Sequence, residues 1–555
     1  MAEIAGLVIG LPGLAEVCFK LCGVIQARVK DYGNSVQLTE MNKTIVRLLV
    51  GEIHTLLEYF ASRAETLPPG LSAEIEELYQ ILRSLLEKAN RAIPQNTGGK
   101  LNSLKFALFN KQKIDEAVKE LEEWQSRFMR RALIAFFFNN NPGNTQTNSA
   151  SPENIGLLGS SGYQGGAEGD TQAVIERIRV SRTRYKVNIS ESELPSASNK
   201  ITESIQASTS QGPKNIILIR DPLCVSNTMP RVPNSPVAVA AYQSSDDTRS
   251  TPILVDFRPY PENATEVAVQ KLRKLVRDVA AVFASADPED MSVLTCIGFA
   301  HDPLNSRFEL HFNFPSITKD RPRSLSDMLL DSVNKKQGVF HHLNQRVMFA
   351  KQLASAILYV HSFGFVHKNI RPDNVLVFEP SQATDGSDAK HEKFPRYLGK
   401  PFLVGFNGIR KVDAESQMLL HTDPKQMIYH HPDRYRLKEG DEFTMKHDVY
   451  SLGVIMLEIA LWNSFYDRGP GGLGSKLWAD ANRLHPPDKL NSIFVRMATT
   501  QVPRIVGERY RDAVLACLTG LKDENGETIT KDEDGVELGL AYLQQVVEQL
   551  EEISL

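Results

Sequence analysis

The chain has 555 residues, 42% hydrophobic and 23% charged, with a net charge of −4 and five cysteines. That length allows roughly two to four domains, the composition is that of ordinary globular protein, and slight acidity gives no reason to expect nucleic acid. Cysteines this few and scattered (Cys18, Cys22, Cys224, Cys296, Cys517) argue against a disulfide framework or a zinc site and for a reducing, cytoplasmic setting. The N-terminus has no basic leader, and no uncharged run reaches the roughly 18 residues of a membrane span.

Residues 1–138 carry four apolar stripes at helical spacing. The first runs Ile4, Leu7, Val8, Leu11, Leu14, Cys18, Leu21, Cys22, Ile25, and the second spans Leu38 to Phe60. A third covers Ile75 to Leu85, and the fourth runs from Ile114 through Leu121, Trp124 and Phe128 to Phe136. Pro68-Pro69-Gly70 and the stretch 94–99 separate them, so an all-α helix bundle is expected. From 139 to 184 the residues turn to Asn, Gly, Ser, Thr and Gln, the composition of a flexible tether, with a short helix around Thr171–Val180. Strand patterns follow at Asn215–Ile219, Pro236–Tyr242 and Ile253–Phe257, and helical ones dominate from Leu325 onward.

Within this second half, His367-Lys-Asn369-Ile-Arg371-Pro-Asp-Asn374 resembles the H-R-D-L-x-x-x-N catalytic loop of protein kinases. Lys446-His-Asp448-Val-Tyr-Ser-Leu-Gly453 resembles the family's D-x-[WY]-S-x-G element, and Tyr429-His-His-Pro-Asp433 its A-P-E segment, with Asp433 for Glu. A helix over Gln345–His361 should lead into the loop. The resemblance implies an α+β bilobal kinase-like domain over 185–555, with an N-lobe at 213–316, a C-lobe at 317–520 and a helical extension at 521–555. It implies a backbone-capping role for Asp448 and packing roles for His367 and Phe406.

The chemical positions of the same motifs are altered. Asn369 stands where the family's proton-accepting aspartate belongs, and Gly405 in Phe402-Leu-Val-Gly405-Phe406-Asn407 where the D-F-G motif has its metal ligand. Arg258 in Val255-Asp-Phe-Arg258 replaces the V-A-I-K lysine. The helix that follows offers Lys271, Lys274 and Arg277 rather than a central glutamate. No glycine occurs from Pro213 to Ile297, so the phosphate-covering loop is missing. A pseudokinase is expected, with no catalytic residue set intact, no required cofactor and no metal. Residual ATP binding through Arg258, Arg371 and Asn374 stays open.

The opening Met-Ala-Glu-Ile-Ala-Gly-Leu-Val-Ile-Gly-Leu resembles HeLo and HeLo-like (prion-inhibition-and-propagation) domains of filamentous fungi, helical membrane-perturbing effectors of cell death. The layout is similar to that of mixed-lineage-kinase-domain-like proteins of necroptosis. It implies a programmed cell-death or incompatibility effector: Ile4, Gly6, Leu7, Val8, Gly10 and Leu11 enter a membrane once an unidentified upstream partner releases them. Basic clusters at Lys105, Lys111, Lys113 and Arg127, Arg130, Arg131 would then meet anionic lipid, and the chain would move from cytoplasm to membrane as a homo-oligomer. A weak atypical Ser/Thr kinase and an inactive scaffold are the alternatives.

Overall fold

Residues described by the computed structural model are 11–31, 50, 53, 57, 69–92 and most of 116–131 in the N-terminal half. Thereafter they are 229–243, 250–315, 321–331, 341–378, 397–411, 423–435 and 443–553, less a few short gaps. The expected strand Asn215–Ile219, the helix at Thr171–Val180, and Ile4, Gly6, Leu7, Val8 and Gly10 lie outside them. The chain divides into two compact units, one holding Met1–Asn139 and the other Pro213–Leu555.

In the first unit, α1 (Leu11–Asp31) buries Leu14, Cys18, Cys22 and Ile25. It packs on α2 (Pro69–Ala92), which buries Leu71, Ile75, Leu78, Leu82 and Leu86. Each set is one stripe at helical spacing, which a helix can hide only against a neighbour. Helical residues between 116 and 131 add Ala117, Leu121, Trp124 and Phe128 to this core. The Trp124 indole N–H donates to the Leu78 carbonyl at 2.7 Å, and Phe128 stacks on both Trp124 and Tyr79, at 4.9 and 5.6 Å. Arg131 corrects one sequence expectation: its guanidinium meets Glu74 at 2.7 Å, with both side chains largely buried. A cation paired in this way offers no free charge to lipid.

The second unit begins with a four-stranded antiparallel sheet in the order β1-β2-β4-β3: β1 (Ala238–Gln243), β2 (Ser250–Pro259), β3 (Cys296–Asp302) and β4 (Arg307–Asn313). Helix α3 (Glu266–Ala284) joins β2 to β3 and lies against β3 and β4. In the register, Leu254 stands opposite Phe312, Asp256 opposite Leu310 and Arg258 opposite Phe308. Residues directly opposite share a face. Phe312 packs against Phe283 of α3 at 6.3 Å, so Asp256 and Arg258 lie on the α3 face. Ile253, Val255 and Phe257 cluster with Ala240 and Met229 on the other.

The helical lobe follows α4 (Leu325–Leu330), which Ser324 caps by accepting the Asp327 N–H. Its centre is α5 (Leu343–Ser362) and α6 (Met445–Leu461). Every residue of α6 from Met445 to Ala460 except Lys446 is buried, as expected of a helix apolar on all sides. Around them pack α7 (Pro487–Thr500) and α8 (Glu508–Thr519). A Cβ on Gly453 would fall 2.6 Å from the Cys517 Cβ, so glycine lets α6 and α8 close up. The last segment, from α9 (Val536–Tyr542) to Ile553, also packs on this lobe. Tyr542 donates to the Ala354 carbonyl at 2.9 Å, and Lys351 to the carbonyls of Glu551 and Ile553.

Candidate functional site

The loop between α5 and β7 (Val375–Phe378) holds most of the motif residues. β5 (Arg323–Ser324) and β8 (Lys400–Leu403) flank β7, and a two-stranded ladder of β6 (Phe365–Val366) with β9 (Arg410–Lys411) closes the loop's other side. Asp448, fully buried at the start of α6, organises its backbone. One carboxylate oxygen accepts the His367 N–H at 2.7 Å and faces His361 Nε2 at 3.0 Å; the other accepts the Lys368 N–H at 2.9 Å. Burial alone would raise this carboxyl, but the His361 hydrogen bond, the neighbouring histidines and the His367 amide hold it below the usual range. Lys368 needs that anchoring, because its φ of +66° is in the left-handed region that side chains avoid.

His367 is completely buried, and burial pushes its imidazole down to about 4. Its Nδ1 accepts the Asn369 N–H at 3.3 Å, so the neutral ring carries its proton on Nε2, which donates to the Val404 carbonyl at 3.1 Å. The ring also begins an aromatic column. Phe406 lies 5.1 Å from His367, 4.5 Å from Phe283 of α3 and 5.9 Å from Phe312 of β4.

Asn369, at the proton-acceptor position, donates from Nδ2 to Asn407 Oδ1 at 2.8 Å. An amide has no basic lone pair to take a hydroxyl proton. Asn374 is also buried. Its Nδ2 donates to the Asn369 carbonyl at 2.6 Å, and its own backbone carbonyl accepts the Val404 N–H. Its Oδ1 has no hydrogen-bond partner among the described residues. Gly405 has φ +81° and ψ 43°, and a Cβ there would sit 2.3 Å from both Cγ and Oδ1 of Asn374. The side chain that would share a metal with a carboxylate thus fills that carboxylate's place.

Two residues of β2 reach the same segment from the sheet. Asp256 Oδ2 accepts the N–H groups of Gly405 and Phe406 at 2.8 and 2.7 Å. Arg258 donates from one nitrogen to the carbonyls of Phe406 and Ile409, at 3.1 and 2.9 Å. Burial raises the Asp256 carboxyl to about 6 against these bonds and lowers the Arg258 guanidinium to about 10. Among the described residues no ion pair joins Arg258 to α3, whose Glu266 instead accepts from Gln270 in the first turn. No motif spacing points to a role for Asp256 or Asn407. Asp256 had one signal: a carboxylate inside an apolar strand, two residues from Arg258 and so on the same face.

The remaining motif residues make ion pairs within this lobe. Arg371 lies 3.7 Å from Asp373 Oδ2, which the Tyr466 hydroxyl also approaches at 3.4 Å. Asp433, part-exposed, pairs with Lys446 at 3.2 Å and lies 3.7 Å from His431. A divalent cation such as a nucleotide brings prefers charged oxygens. Asn374 Oδ1 is an uncommitted but neutral oxygen, Gly405 supplies none, and Asp256 is spent on backbone amides. The donor set does not fit a catalytic metal.

Residues 324–492 match the protein tyrosine and serine/threonine kinase family. A serine/threonine-protein kinase US3 homolog of Gallid herpesvirus 2 is 24% identical over 136 residues, 24% of this chain and 29% of that protein. The mouse eukaryotic translation initiation factor 2-alpha kinase 1 is 26% identical over 117 residues, 20% of this chain and 16% of that one. The Arabidopsis thaliana serine/threonine-protein kinase-like protein At5g23170 is 32% identical over 116 residues, covering 21% and 27%. The chain thus spans under a third of the length of these curated relatives. Lobe architecture, the order of the motifs and these matches together make the C-terminal part of the chain a protein-kinase-like domain.

Proposed function

We propose that this domain does not transfer phosphate and acts as a conformational switch for the N-terminal helical unit. The observation that carries the reading is the overlap at Gly405, where Asn374 occupies the space a metal-binding carboxylate would need. Asn369 adds to it, since its amide is committed to Asn407 and cannot serve as a base. Phosphoryl transfer relies on positioning and on charge neutralisation by metal, and both carboxylate positions are empty of charge. Incubating the full chain with radiolabelled ATP, magnesium or manganese and generic protein substrates should give no label above background. Label that disappears in an Asn374→Ala variant sinks the proposal.

The effector half of the reading is a helix bundle at residues 1–138 that perturbs anionic membranes and drives regulated cell death as a homo-oligomer. It draws on the HeLo-like opening of the sequence and on the shared apolar core of α1, α2 and the Trp124 segment. No helix among the described residues is long and apolar enough to cross a membrane. The test is dye leakage from liposomes of mixed phosphatidylcholine and phosphatidylserine. Full-length protein should release dye when concentrated on the vesicles, and a Gly6→Asp, Gly10→Asp variant should not. Equal leakage from both, or none from either, refutes this half.

One observation favours the rival reading of a weak atypical kinase: the buried, unpartnered Oδ1 of Asn374, which a ligand could satisfy. A thermal shift with magnesium-ATP that is absent with ATP and chelator would support that rival.

A further inference from the structure

We propose that Asp256 and Arg258 form a latch between the two lobes, holding the Gly405–Ile409 backbone against β2, and that its release is the step by which the domain switches. The inference rests on the reading above that the cleft is not a phosphotransfer site. Asp256 and Arg258 stand two apart on one face of β2, and both reach a segment some 150 residues further along the chain. One takes two consecutive N–H groups and the other gives to two carbonyls, all on that segment. It therefore cannot slide or rotate without breaking both sets. Because every partner is backbone, the hold is on the segment's path and does not depend on its side chains.

The latch is wired to two other elements. Phe406 lies between the two sets of bonds, and its ring contacts Phe283 on α3 and His367 in the catalytic-loop segment. A displaced Phe406 must vacate the column, so α3 and the loop would feel the release. The latch also has a reason to be two-state. Asp256 is buried, and the segment's amides satisfy its carboxylate. Half-release would strip a buried carboxylate of the two donors this segment supplies, so intermediate positions are disfavoured. Apolar packing would serve a permanent lobe contact as well or better, since a buried polar pair carries a desolvation cost that an isosteric apolar pair does not. The same two side chains occupy the stretch of β2 where a working kinase keeps its phosphate-contacting lysine.

Hydrogen–deuterium exchange with mass spectrometry on the full chain tests this. Asp256→Ala should raise exchange in the peptide covering 400–411 by at least about tenfold. The effect should extend, more weakly, to α3 near Phe283 and to 365–370, and leave α8 unchanged. Asp256→Asn, which keeps an acceptor oxygen, should fall between. A change under about twofold at 400–411, or a uniform rise that includes α8, overturns the latch. If Asp256→Ala does not fold, the wild type decides in sub-denaturing urea. There, 400–411 and α3 should open together in one step below global unfolding, and their opening only with the whole domain overturns it. Radiolabel transfer by the wild type would strike the non-catalytic reading and leave this exchange result to stand or fall alone.

Discussion

Replacing Gly405 with alanine asks whether a side chain can return to the position where a working kinase keeps its metal ligand. The glycine's left-handed backbone costs an alanine about 1–2 kcal/mol. The new Cβ would lie 2.3 Å from Asn374 Cγ and Oδ1 and 2.7 Å from Nδ2, so the amide must move. Moving it breaks the 2.6 Å bond to the Asn369 carbonyl and leaves a shielded acceptor, about 1–3 kcal/mol. Overpacking in a closed site adds about 1–3 kcal/mol. The last two terms share one displacement and are counted once, so the expected loss is about 2–5 kcal/mol. Urea unfolding followed by tryptophan fluorescence measures it, since Trp462 and Trp478 lie in this unit and a Trp124→Phe background silences the third tryptophan. Adding Asn374→Ala should recover about 2 kcal/mol of the penalty as a coupling energy. A loss below about 1 kcal/mol, or strict additivity of the pair, would show that the site has room and refute the steric argument.

Asn369→Asp alone should leave label transfer from ATP at background, because Gly405 and Asp256 still deny the metal its ligands; measurable transfer contradicts the account of the site. Glu458 is buried, accepts from the Tyr429 hydroxyl at 2.9 Å and the Phe465 N–H at 2.7 Å, and is raised by burial to about 8. A raised carboxyl keeps its proton in the folded state, so its contribution is complete below about pH 4.5 and is lost as pH climbs through about 8. Glu458→Gln should therefore gain thermal stability relative to wild type between pH 5.5 and 8.5, and a gap that narrows over that range is the contrary result. Tyr79→Phe removes a buried hydroxyl that has no hydrogen-bond partner among the described residues. The N-terminal unit should become more stable by about 1 kcal/mol in urea unfolding, and a comparable loss would mean the hydroxyl is satisfied in solution.

Linear motifs were legible because their geometry is local. The helix expected at Gln345–His361 is α5 at Leu343–Ser362, and the strand expected at Pro236–Tyr242 is β1 at Ala238–Gln243. The catalytic-loop segment could be placed from spacing alone. The latch could not, because the partners of Asp256 sit some 150 residues away and are backbone amides, which carry no residue identity to search for. Alternation places Asp256 and Arg258 on one face of β2 but cannot say which face meets α3; that follows only from the pairing of β2 with β4. Asn407 was hidden for a similar reason, since its contact with Asn369 depends on how the chain turns after Gly405. Arg131 reads as one of a basic run, and only the packing of its helix on α2 brings Glu74 to it.

Four polar residues around the cleft bind main-chain groups. Asp448 binds the amides of His367 and Lys368, Asp256 those of Gly405 and Phe406, Arg258 the carbonyls of Phe406 and Ile409, and Asn374 the carbonyl of Asn369. A side chain spent on main-chain groups fixes the path of the chain. A side chain that performs chemistry must keep a charge or lone pair facing the reactant. Here Asn369 faces Asn407 and Asp256 faces inward, so the strongest electrostatic resources of the cleft go into holding two segments in register. In the switch proposed above, the output of that hold is the position of Phe406 and, through its ring contact with Phe283, of α3.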